Sequence, residues 1–199
     1  LQARATKLLD DGYKKLTAFE TKENGYEWFG AAPAHEALTA YGLMEFVDMK
    51  NVYTGVDNKM IDRTVKLLLD KRDGNGGFKK NPRALDSFGG ADEDITNTYI
   101  VYALSEAGYK DIAKELNAVE KEAKKSNDPY LMALVANALF SAGEDERGEK
   151  MIAQLINARN EAGFWTGKKH SITRSTGESL KTETTSLILL ALLKSQTPD

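Results

Sequence analysis

Four segments of this chain turn apolar on nearly every side of a helix, and that repeat narrows the fold more than any other feature. They are residues 35–46 (HEALTAYGLMEF), 94–108 (DITNTYIVYALSEAG), 129–143 (PYLMALVANALFSAG) and 182–194 (TETTSLILLALLK). Each opens on polar or charged residues able to cap a helix and then loses its polar face. A helix that is hydrophobic all round is buried all round. Between these segments lie helices of another kind. Ala5, Leu8, Leu9, Leu16 and Phe19 follow the i, i+3, i+4 rule, as do Ile61, Val65 and Leu68. Ile112, Leu116, Val119 and Ala123 do the same, and so do Met151, Ile152, Leu155 and Ile156. Each has one apolar stripe and a charged remainder, the pattern of a helix with one side in water. The chain thus alternates amphipathic and apolar helices four times, with almost no strand pattern. The expected fold is all-α, with amphipathic helices outside and apolar helices inside, as in an α/α-toroid or a curved solenoid. About four helical hairpins are too few to close a ring of this kind. The expectation is therefore a partial ring, a single domain over residues 1–199 excised from a larger protein.

A chain of 199 residues has room for one ordinary domain. It contains no cysteine and only two histidines, His35 and His170. That excludes a disulfide framework, a zinc finger, an iron–sulfur site and a thiol nucleophile within these residues. The net charge of −3 lacks the basic excess of a nucleic-acid binder. The longest apolar run, residues 187–193, falls far short of the ~18 residues of a membrane span. The chain opens at Leu1 on polar residues without a signal-peptide pattern. No nucleotide loop is present, no cofactor is expected, and neither nucleic acid nor membrane is expected as a partner.

Three of the four outer-to-inner connections join glycines to aromatics: residues 25–30 (GYEWFG), 74–78 (GNGGF) and 163–167 (GFWTG). Glycine permits tight turns, and the aromatic beside it can plug the space between hairpins. The third connection in order, Ser126-Asn127-Asp128, is short and lacks this mark. Residues 168–179 read as an exposed polar loop or small hairpin.

A few positions invite a chemical reading, each beside a structural one. His35-Glu36 begins an apolar helix, but position 39 is Thr, so the HExxH zinc pattern fails and a helix-start pair is favoured. Asp92-Glu93-Asp94 could bind a cation or do acid–base work, or simply favour a helix N-terminus. Trp28, Phe29, Phe164 and Trp165 could line a sugar or lipid site, or act as plugs. Lys168, Lys169, His170 and Arg174 form a small basic cluster, read as solvated surface.

The stretch GYEWFGAAPAHEALTAYGLMEF (residues 25–46) resembles the thioester-domain toroid of the α2-macroglobulin and complement family, in its bacterial or otherwise non-vertebrate form. Other residues fit the same template in order. Gly12-Tyr13-Lys14-Lys15-Leu16 resembles a family helix. Leu67–Leu69 followed by residues 72–78 (RDGNGGF) resembles its aspartate–glycine turn. Phe88-Gly89-Gly90 with Asp92–Tyr99 resembles a further segment, and Thr182–Leu192 its final helix. The likeness is most specific in the first third and vaguer after Ala107.

The resemblance implies a protease trap rather than an enzyme. In this family a protease cuts a bait region, the parent rearranges, and in many members a Cys–Gln thioester acylates the attacker. The Cys-x-Glu-Gln motif precedes the Gly-Tyr helix in the family, so it either lies before Leu1 or is lacking in this member. Complement-type members carry a catalytic histidine shortly before the Gly-Gly pair, and here the comparable position is Ala84. If a thioester lies upstream, the resemblance implies uncatalysed transfer that favours amines. Implied partners are proteases, met through the parent, and the parent's neighbouring domains. The implied setting is extracellular, periplasmic or cell-surface. The candidates for the mouth of the toroid are Trp28, Phe29, His35, Glu36, Ala84, Asp92, Glu93, Asp94 and Trp165. Two alternatives stand beside this reading: a toroid enzyme acting on polysaccharide or isoprenoid, and a non-catalytic interaction module.

Overall fold

A computed structural model describes residues 2–81 and 91–195. Among the described residues there are eight α-helices and, instead of strands, two isolated β-bridges. The helices are α1 (Gln2–Thr17), α2 (Glu36–Lys50), α3 (Asn58–Asp70), α4 (Glu93–Glu106), α5 (Ala113–Ser126), α6 (Pro129–Ala142), α7 (Asp145–Asn157) and α8 (Gly177–Lys194). The chain divides into two compact units: Leu1–Asp73 with Phe78–Asp86, holding α1–α3, and Gly74–Gly77 with Ser87–Asp199, holding α4–α8.

The first unit is built around Tyr26, Phe46, Val56 and Met60, with Tyr13, Leu16, Leu38 and Ile61 packed against them. Helices α2 and α3 start on side-chain caps. His35 caps α2, its Nδ1 accepting from the Leu38 amide at 3.4 Å. Asp57 caps α3, accepting from the Lys59 amide at 2.9 Å. A cap of this kind is worth about 1 kcal/mol. The loop between α1 and α2 lies close against α2. The Tyr26 amide donates to Thr39 Oγ1 at 3.0 Å. A methyl group on Gly25 would sit 2.5 Å from Leu67 Cδ2 and 2.7 Å from both Ala34 Cβ and Thr39 Oγ1, so only glycine fits there. Arg63 on α3 holds Glu20 with Nε–Oε1 at 2.5 Å and Nη2–Oε2 at 2.7 Å.

The second unit is organised by α6, which packs against α4, α5, α7 and α8. Asp128 caps it, Pro129 occupies its first turn, and Gly143 ends it at φ +82°. Every residue from Tyr130 to Leu139 is buried. At roughly 1.5–3 kcal/mol for each large apolar side chain, this helix supplies much of the unit's hydrophobic stabilisation. The amphipathic helices bury one stripe each: Leu116, Val119 and Ala123 on α5, and Met151, Ile152 and Leu155 on α7. Arg147 on α7 bridges to Glu120 and Asn117 on α5.

The expected alternation is present, but burial on every side holds only for α4 and α6. Helix α8 begins at Gly177, five residues before the apolar run, and buries a single stripe of Leu180, Thr184, Ile188 and Ala191. Leu189, Leu190 and Leu193 are exposed. Helix α2 likewise leaves Tyr41 half exposed. The reason is the number of neighbours. Helix α6 is flanked by four helices of its unit, whereas α8 packs mainly on α6 and α7. Residues 168–176 form turns rather than a hairpin, and they are anchored. Ser171 and Ile172 are buried, and the Ile172 amide donates to the Tyr130 hydroxyl at 3.0 Å.

Candidate functional site

Two carboxylates at the start of α4 are met by Lys169 and His170 of their own unit. Lys169 Nζ lies 3.0 Å from Asp92 Oδ2 and 2.8 Å from Asp94 Oδ2. His170 Nε2 lies 3.4 Å from Asp92 Oδ1. Asp94 Oδ1 also accepts from the Ile95 amide, and Glu93 is exposed. Its hydrogen bonds to Asp94 and Asp92 push the Lys169 ammonium well above its usual value, and the Lys169 bond holds Asp92 below the usual carboxylate range. General acid–base work needs a carboxyl shifted towards neutrality, which is the opposite direction. The basic cluster is thus not the free solvated surface expected of it. Lys169 and His170 form a strut that ties residues 168–176 to α4. The carboxylates it holds are committed to that role.

The aromatic loops also sort differently from expectation. The buried plug of residues 25–30 is Tyr26, while Phe29 is 78% exposed and Trp28 40% exposed. In residues 163–167 Trp165 is the plug, and its indole Nε1 donates to the Leu155 carbonyl at 2.5 Å. Phe164 lies under Lys181, whose Nζ is 4.6 Å from the ring centroid. His35 is a buried helix cap. Glu36 beside it is also buried, with Lys71 Nζ 3.8 Å from Oε1. Ala84 lies outside the described residues. Among the described residues no group of His, Cys, Asp and Glu is placed to hold a metal ion. No described helix is long and apolar enough to cross a membrane.

One concave site does form, within the first unit. A cavity of about 240 Å³ is lined by Leu16 of α1 and Phe19 just after it, by Tyr26, Glu27 and Trp28 of the loop, and by Leu38, Tyr41, Gly42, Glu45 and Phe46 of α2. Leu38, Tyr41, Gly42 and Glu45 fall at i, i+3, i+4 and i+7, one face of the helix. The absence of a side chain at Gly42 lets the Tyr26 ring lie flat on that face, where an added methyl would meet Tyr26 Cδ2 at 2.7 Å. Glu27 is 4% exposed. Its Oε2 accepts from the amides of Phe29 (2.8 Å) and Ala31 (3.4 Å), while its Oε1 is buried without a partner. Burial pushes the Glu45 carboxyl above its usual value. Of the expected site residues only Trp28 lines this cavity. Glu27 and Glu45 were missed. The legible signal was Glu45, an acid inside the apolar run of residues 37–46.

The model of one protein family, the A-macroglobulin TED domain, matches residues 1–198. This chain belongs to that thioester-domain family. The eight helices and their alternation fit the helical toroid of such domains. No curated protein sequence matches the chain.

Proposed function

We propose that the chain is the scaffold of a protease trap: the thioester domain of an exported α2-macroglobulin-like inhibitor, working through its parent rather than as an enzyme. The observation that carries this reading is the family match over residues 1–198. The closed state of Asp92 and Asp94 weighs in the same direction, because the rival reading as a polysaccharide or isoprenoid enzyme relied on those carboxylates. A thioester is an activated acyl group that survives only while water and amines are kept away. A trap keeps it covered until bait cleavage rearranges the parent. The amine nitrogen of a protease lysine then attacks the acyl carbon, the C–S bond breaks, and the cysteine leaves as a thiolate that takes the amine's proton. The product is an amide.

With Ala84 at the position where complement-type members carry histidine, no imidazole relay is supplied from that position. The reading therefore favours amines over hydroxyls. The test is competition on the protease-activated parent, with labelled methylamine against labelled glycerol. The expected outcome is methylamine incorporation with little glycerol ester. Rapid esterification by glycerol would overturn the preference for amines. Incorporation of neither would remove the thioester from the proposal.

A further inference from the structure

The chain holds two Asn-Gly pairs, Asn24-Gly25 and Asn75-Gly76. They sit in short connections, residues 21–25 and 73–77, each closed by a single β-bridge, Glu20 with Tyr26 and Arg72 with Phe78. In the first connection Thr21 closes the turn. Its amide donates to the Gly25 carbonyl at 2.7 Å, and its carbonyl accepts from the Asn24 amide at 3.0 Å. Asn24 stands at the exposed corner with φ +67°, a left-handed conformation that asparagine tolerates better than most residues. Its carboxamide makes no hydrogen bond among the described residues, and the Gly25 N–H finds no acceptor among them. Asn75, by contrast, is engaged, and Lys114 of α5 donates to the carbonyl of Gly74 just before it.

We propose that Asn24 is a site of spontaneous covalent modification, in which the Gly25 nitrogen attacks the Asn24 side chain and water exchanges the carboxamide for a carboxylate. The Gly25 amide gives its proton to solvent, and its nitrogen bonds to Asn24 Cγ. The carboxamide C–N bond breaks, and its NH2 takes a proton from solvent and leaves as ammonia. A cyclic imide remains, and water opens it. Cleavage between Cγ and the nitrogen gives aspartate. Cleavage between the main-chain carbonyl carbon and the nitrogen gives isoaspartate, whose main chain runs through Cβ and Cγ. Glycine in the next position favours the attack, because no side chain shields the nitrogen or hinders ring closure. Nucleophile and target belong to adjacent residues, so bringing them together costs no binding entropy. The seat of Gly25 sets the consequence. That backbone lies tight against Leu67 of α3, Ala34 and Thr39 of α2. Isoaspartate adds a methylene to the main chain immediately before the seat, so the Thr21–Gly25 bond and the Tyr26 amide bond to Thr39 Oγ1 cannot both keep their register. The new carboxylate also joins a stretch that already carries Glu20, Glu23 and Glu27. Modification thus loosens the loop that seats the Tyr26 ring, and it does so whether or not the chain serves as a trap.

The second Asn-Gly pair supplies an internal comparison. The folded chain is incubated in mildly alkaline buffer made with water enriched in heavy oxygen. Samples are digested at intervals and analysed by mass spectrometry, with electron-based fragmentation to separate aspartate from isoaspartate. A free peptide of residues 20–29 is incubated beside it. Asn24 is expected to convert at least about fivefold faster than Asn75 in the folded chain, with oxygen from water in both products. Thermal melts follow the same samples, and the form carrying isoaspartate at position 24 is expected to melt below the fresh protein. Asn24→Gly permits the left-handed φ and carries no carboxamide, so its aged sample should melt as its fresh one does. Three results would each overturn the proposal. They are an Asn24 that stays intact in the folded chain while the free peptide converts, conversion of Asn75 as fast as that of Asn24, and an isoaspartate form that melts like fresh protein.

Discussion

Helices α2 and α6 share one sequence pattern, a capped start followed by a nearly continuous apolar run, yet they end in different surroundings. Helix α6 is sealed from Tyr130 to Leu139, and its buried Asn137 is tied through Nδ2, which donates to the carbonyls of Ala133 (2.9 Å) and Leu187 (2.8 Å), while its Oδ1 is buried without a partner. Helix α2 is sealed on one side by Ala40, Leu43 and Thr39, while its other side faces the cavity with Tyr41 and Glu45. An apolar run therefore states how much surface a helix can bury, and its neighbours decide how much it does bury. A carboxylate on the sealed helix would be ruinous. On the open side of α2 it is tolerated and left available.

The largest effect that separates the two helices is truncation. Leu134→Ala in α6 is expected to destabilise its unit by about 2–5 kcal/mol, since the side chain is fully buried. Tyr41→Ala on the open face of α2 should cost less than about 1 kcal/mol. Chemical denaturation of both variants checks the pair, and equal losses would break the distinction. The sealed side of α2 should be as unforgiving as α6. Gly25→Ala forces a methyl against Leu67, Ala34 and Thr39 and is expected to cost about 1–3 kcal/mol. A neutral result would mean that this side is looser than the packing indicates.

Smaller effects come from charge, and here Glu45 and Asp92 should move in opposite senses. The folded state raises the Glu45 carboxyl, so its ionised form is a liability that disappears as the pH falls through that raised value. Glu45→Gln should therefore stabilise the protein slightly at neutral pH, by less than about 1 kcal/mol because the group remains partly in water, with the gain fading in acid. Asp92 is held low by Lys169, so its contribution is present above the usual carboxylate range and lost as the pH falls through the depressed value. Asp92→Asn should cost less than about 1 kcal/mol at neutral pH, because the pair is half exposed, and nothing in strong acid. Thermal melts across pH read both signs at once, and like-signed responses would contradict the contrast.

The helices were legible because periodicity and capping are local. The buried run of α6, the cap at Asp128 and the glycine stop at Gly143 can be read directly from the residues. The exposure of Leu189, Leu190 and Leu193 could not be read, since nothing in an apolar segment says how many helices surround it. The surroundings of the candidate residues were hidden for a related reason. Asp92-Glu93-Asp94 is conspicuous in the sequence, but its partners Lys169 and His170 come from more than seventy residues away. Glu27 is hidden between Tyr26 and Trp28, and only the fold shows that one of its oxygens is buried without a partner. The aromatic plugs were right in kind and partly wrong in identity. Tyr26 rather than Trp28 faces the core of its loop, because Gly42 leaves room for that ring.

The trap reading meets its most direct test in the parent protein mixed with an active endopeptidase, with hydrolysis of a large protein substrate and of a small chromogenic peptide followed together. The account predicts that cleavage of the large substrate is lost while cleavage of the small peptide persists, because the enclosed enzyme keeps its active site but loses access to bulky chains. Retention of both activities, or equal loss of both, would contradict it.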